Sequence, residues 1–108
     1  MPTVYKYFGL FFLIFTRDEH SPIHVHVKSG NKMSIVEIII DEKTNKIIMV
    51  RRRRIGNSAS TANELSEKDL KTAVDFVNIK AEEIVKLWRD ILANKYKGSP
   101  IIITRKIV

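Results

Sequence analysis

A chain of 108 residues, 44% hydrophobic and 29% charged, fits one compact domain (1–108) with its own core and no second domain. The lack of cysteine excludes a disulfide scaffold, thiolate metal sites and a thiol nucleophile. A net charge of +7 points to an acidic partner: nucleic acid (RNA or DNA), an anionic membrane or an acidic protein.

The placement of that charge is uneven. Residues 1–50 are nearly balanced, as are residues 66–98, whereas Arg51, Arg52, Arg53 and Arg54 follow one another without interruption. Arg105 and Lys106 add a smaller basic pair. The excess is a patch.

Taken in chain order, residues 3–8 and 10–16 are rich in aromatic and β-branched side chains and read as strands. Gly9 stands between them as the permissive backbone position, which fits a tight hairpin or a kinked long strand. Their longest apolar run, residues 10–15, falls far short of the roughly 20 residues of a membrane span. No signal-peptide pattern precedes it, so a cytoplasmic location without a membrane partner is expected.

Residues 17–22 form a polar loop, residues 23–28 alternate as a third strand, and Ser29-Gly30-Asn31 turns the chain. Residues 33–40 and 46–52 are two more strands, joined by a short Asp/Asn turn that makes a hairpin the simplest connection. The sheet so predicted spans residues 3–54. Such short loops require antiparallel neighbours.

Residues 55–65 are small, polar and aperiodic, and read as a connection. Ser66 is a natural N-cap, followed by the acidic Glu67 and Asp69 in the first turn. Apolar residues then recur at 70, 74, 77, 81, 84, 88 and 91, the spacing of one helix face. Asn78 interrupts nothing in that pattern, so a single helix over 66–97 is expected, stopped by Gly98 and Pro100. Its other face alternates in charge and reads as solvated. Residues 100–107 are a last strand, able to add to a sheet edge here or in a second copy of the chain. The expected fold is therefore α+β: a curved antiparallel sheet of about five strands under one long C-terminal helix.

The richest stretch for chemistry is Asp18-Glu19-His20-Ser21-Pro22-Ile23-His24-Val25-His26-Val27. On a strand His24 and His26 share a face, and His20 from the adjoining loop supplies a third imidazole. Three such nitrogens suit a divalent transition metal, with Asp18 or Glu19 as ligand or supporting carboxylate. Without metal, the same histidines suit general acid–base cleavage of a phosphodiester, with arginine stabilising the developing charge. The plainer alternative is an ordinary strand whose histidines bond locally. Arg51–Arg54 likewise allow two readings, a phosphate-binding tip or a solvated edge that blocks aggregation. The exposed aromatics of a single-strand stacking platform are not expected nearby, because Phe11, Phe12, Phe15 and Trp88 read as core.

The opening Pro2-Thr3-Val4-Tyr5, the Gly9-Leu10-x-Phe12 step and Asp18-x-His20-x-Pro22-x-His24-Val25-His26-Val27 together resemble the small bacterial domain of unknown function 4160 family. Leu65-Ser66-Glu67-Lys68-Asp69-Leu70 and Trp88 resemble its helix start and late tryptophan. Glu19 is an extra residue in the histidine segment, and Ser21 replaces the first of two prolines. The resemblance implies a small prokaryotic protein, often encoded beside another small protein in an arrangement like a toxin–antitoxin pair. It assigns no activity to any residue. Three functions follow as expectations: a regulatory module on nucleic acid through Arg51–Arg54, a hydrolase at His20, His24 and His26, or an interaction domain binding itself or a neighbouring gene product.

Overall fold

Alternating apolar side chains and tight turns build the first half of the chain into a meander. The computed structural model describes residues 3–14, 23–53, 63–93 and 100–107. Its strands β1 (Thr3–Tyr7), β2 (Leu10–Leu13), β3 (Ile23–Ser29), β4 (Lys32–Ile40) and β5 (Ile47–Arg52) pair in sequence, each antiparallel to the last. Helices α1 (Glu67–Ile79) and α2 (Ala81–Leu92) follow, and β6 (Ile101–Ile103) closes the order β5-β4-β3-β2-β1-β6.

The first hairpin turns on Phe8 and Gly9, with φ of 43° and 83°. Two central residues at positive φ are the mark of a type I′ turn, whose twist matches that of its strands. Gly9 accepts this freely. Phe8 does not, since its Cβ crowds the backbone there.

Two expectations need correction. The sheet is mixed, because β6 runs parallel to β1, pairing Tyr5, Lys6 and Tyr7 with Ile101, Ile102 and Ile103. The short-loop argument governs only β1 to β5; beyond them the chain crosses the helical layer and returns in the direction of β1. The helix is also two helices. Lys80, at φ −98° and ψ 12°, leaves helical geometry directly after Asn78 and Ile79, both of low helix propensity. The bonds from Lys80 N–H to Phe76 and from Ile84 N–H to Lys80 survive at 3.0 and 2.9 Å. The apolar stripe therefore continues across the break, which is why spacing alone showed one helix. Residues 94–97, the rest of the expected helix, lie outside the described residues.

One face of the sheet builds the core. Tyr5, Tyr7, Phe12, Val25, Val27, Val36 and Ile38 are buried on it beneath Phe76 of α1. Phe76 stacks on Phe12 at 4.3 Å between ring centroids and meets the edge of Tyr5 at 5.3 Å. Burying such a side chain contributes roughly 1.5–3 kcal/mol. Tyr5 donates its hydroxyl hydrogen bond to Glu83 of α2, and Ser34 accepts one from Leu65 N–H at 3.1 Å, so polar groups also tie the layers together.

Candidate functional site

The opposite face of the sheet carries the residues with chemistry. Cross-strand register sets His24 of β3 beside Glu37 of β4, and Glu37 beside Arg51 of β5. His26, two residues along β3, lies beside Ile35 on the same face. The imidazoles of His24 and His26 are 5.3 Å apart between ring centroids, as their spacing on one strand requires.

Their surroundings differ. His24 is 0% exposed, with the Trp88 indole of α2 at 5.0 Å. Its neighbour Val25, pointing the other way, is equally buried, so both surfaces of β3 are covered at this point. His26 is half-buried, with Nδ1 3.3 Å from Met33 Sδ. His20 and Asp18, with Glu19, lie outside the described residues. Among the described residues no three His, Cys, Asp or Glu side chains gather to hold a metal ion.

The arginines are engaged. Arg53 donates from Nε to Glu37 at 2.9 Å, and Arg51 donates from Nε to the other carboxylate oxygen at 3.3 Å. Arg52 points to the opposite surface and meets Glu67 at the start of α1, 3.2 Å away. Arg54 lies outside the described residues. Glu37 and residues 51–53 line an open pocket of about 620 Å³ along edge strand β5, with the Arg51 and Arg53 guanidiniums on the Glu37 side. The expected cationic tip is thus a held arrangement around a buried carboxylate.

Glu37 is the residue that the sequence reading missed. A lone carboxylate within the apolar run Ile35-Val36-Glu37-Ile38-Ile39 was its signal. Once β4 and β5 form a hairpin, such a group needs a cation across the strand, and Arg51 is there.

Charge also separates between the layers. The described strands carry five basic residues and one carboxylate, Glu37, whereas α1 and α2 carry six acidic residues against four basic ones. The sheet is cationic and the helices are slightly anionic. Among the described residues no helix is long and apolar enough to cross a membrane.

No curated protein and no solved structure gives a significant match to the chain. The pattern of the family described as domain of unknown function (DUF4160) does match, over residues 9–89. That segment runs from the first hairpin turn through the β5 arginines to α2, three-quarters of the sequence, and so the chain is a member of the DUF4160 family.

Proposed function

We infer that the protein is a small regulatory module that contacts nucleic acid through the β5 pocket. The observation that carries this reading is the pair Arg51 and Arg53, both fixed by Glu37 at an open pocket of about 620 Å³. Glu37 engages Nε of Arg51 and Arg53, which leaves Nη groups to meet a phosphate in the two-pronged manner that guanidinium allows. Holding the guanidiniums in advance reduces the ordering cost of binding. The separation of charge supports the same reading, since a cationic sheet backed by slightly anionic helices orients the molecule towards a polyanion.

The test is a titration of labelled single-stranded RNA and duplex DNA at about 50 and 200 mM salt, where phosphate contacts lose most affinity. Binding should collapse at the higher salt. Arg51→Gln with Arg52→Gln should flatten the logarithmic salt dependence by about 0.7 to 0.9, the one phosphate contact that Arg51 supplies. Unchanged affinity in that variant overturns the reading.

A second reading, association with another protein or a second copy, is favoured by the sheet edges. Ile48 and Met49 on β5, and Ile101 and Ile102 on β6, are exposed at opposite ends of the strand order. Ile48 is the extra residue of a bulge between β4 and β5, which turns it outward. Sedimentation across a hundredfold range of concentration tests self-association, and co-expression with a neighbouring gene product tests the hetero-complex. A monomer that binds no such product counts against this role.

A further inference from the structure

Five exposed side chains form one lateral row across the sheet, on the face away from Phe76. Register places Ile102 of β6 beside Lys6 of β1, Lys6 beside Phe11 of β2, Phe11 beside Lys28 of β3, and Lys28 beside Met33 of β4. Partner positions project to the same side, so the row is continuous over five strands, roughly 19 Å at about 4.8 Å per strand.

A sheet face open to water is ordinarily polar. This one alternates apolar, cationic, aromatic, cationic and apolar groups. Phe11 is 38% exposed and stays out of the cluster that Tyr5, Tyr7 and Phe12 make with Phe76. Lys6 Nζ lies over its ring, 5.8 Å from the centroid. Neither Lys6 nor Lys28 forms a salt bridge among the described residues. The row itself has no carboxylate. Glu37, the only one on the described strands, is four residues along β4 from Met33 and bound to two arginines.

Packing alone does not call for this arrangement, and it has a direct chemical complement. An aromatic ring between two ammonium groups suits a flat base with a phosphate to either side. A base inside a duplex has both faces covered by its neighbours and cannot lie on Phe11 without being unstacked. We propose that the Lys6–Phe11–Lys28 row binds single-stranded nucleic acid, Phe11 stacking on a base while Lys6 and Lys28 meet the flanking phosphates. The proposal rests on the nucleic-acid reading above and adds to it the form of the ligand. Along β3, Lys28 and His26 succeed one another on this face up to His24, which is buried against Trp88 and separates the row from the arginine pocket.

The experiment compares binding of a labelled single-stranded RNA and a duplex of the same sequence at about 50 mM salt. The proteins are wild type, Phe11→Ala, Phe11→Leu, Lys6→Gln/Lys28→Gln and Arg51→Gln/Arg52→Gln, each checked for native circular dichroism. Wild type should prefer the single strand. Phe11→Ala should weaken that complex about 5- to 100-fold, with little change for the duplex. Phe11→Leu keeps an apolar side chain but has no flat ring, and should be impaired nearly as much. Lys6→Gln/Lys28→Gln should reduce the salt slope by about 1.4. Single-strand affinity unchanged in both Phe11 variants, yet lost in Arg51→Gln/Arg52→Gln, overturns the proposal and leaves the arginine pocket standing. Failure of the wild type to bind either nucleic acid overturns both.

Discussion

Arg53 Nε donates to Glu37 at 2.9 Å, towards a carboxylate side chain that is only 8% exposed. Arg51 shares the same carboxylate from a more solvated position, 54% exposed against 29% for Arg53, and at a longer 3.3 Å. A buried charge that loses its closer partner is costly, whereas an exposed ion pair contributes little. Arg53→Ala should therefore destabilise by about 2 kcal/mol and Arg51→Ala by less than about 1 kcal/mol. Urea unfolding measures both, and equal losses would contradict the assignment of Arg53 as the main support.

The first hairpin offers a stabilising substitution. Phe8 holds φ at 43°, where asparagine is better tolerated, and its ring is largely solvent-exposed. Its edge contact with Tyr7, at 4.8 Å between centroids, opposes the gain. Relief of strain should prevail, so Phe8→Asn is expected to add about 0.5 kcal/mol and raise the thermal midpoint by about 2–4 °C. A lower midpoint would mean that the Tyr7 contact outweighs the backbone cost.

At the start of α1, Ser66 Oγ accepts a hydrogen bond from Asp69 N–H at 3.2 Å. Ser66→Ala removes this cap while leaving the buried stripe intact. The expected loss is about 1 kcal/mol, and Ser66→Asp should restore most of it. Thermal melting followed at a helix wavelength provides the comparison. No loss in the alanine variant would show that water or a neighbouring group satisfies the amide equally well.

His24 and Trp88 make a pair that can be followed by light. Trp88 is the only tryptophan, and its ring lies 5.0 Å from an imidazole with no exposure. His24→Ala should leave a cavity, cost about 2 kcal/mol or more, and shift Trp88 emission to the red as water gains access. His26→Ala, at a half-buried position, should change both readings much less. An unaltered emission spectrum in His24→Ala would argue against the packing of this pair.

The strands were legible in the sequence because apolar and polar side chains alternate and the turns carry Gly, Asn and Asp. The Ser66 cap was legible for its local hydrogen bond. Other features depended on contacts distant in sequence. Phe11 reads as core when taken with Phe12 and Phe15, yet its partners across the sheet are Lys6 and Lys28, which place it on the exposed side. The arginines read as a free patch because Glu37 is 14 residues from Arg51 and becomes relevant only through hairpin register. The break at Lys80 leaves no mark in the spacing, because the apolar stripe crosses it unchanged. Histidine spacing correctly placed His24 and His26 on one face, but burial distinguishes them, and periodicity carries no information about which helix covers that face.

The charged centre of β4 also has a bearing on how the strands find their alignment. A one-residue slip of β5 would turn Arg51 and Arg53 towards the helices and bring Arg52 to the surface that holds Glu37. Two cations would then enter the layer of Phe76, and Glu37 would lose both of its present guanidinium partners, Arg51 and Arg53. The apolar residues around them, Ile47 to Val50, are similar enough in size to tolerate either alignment, and so cannot discriminate by themselves. Glu37 acts as an alignment key: it penalises the neighbouring register in a hairpin that hydrophobicity alone would leave ambiguous.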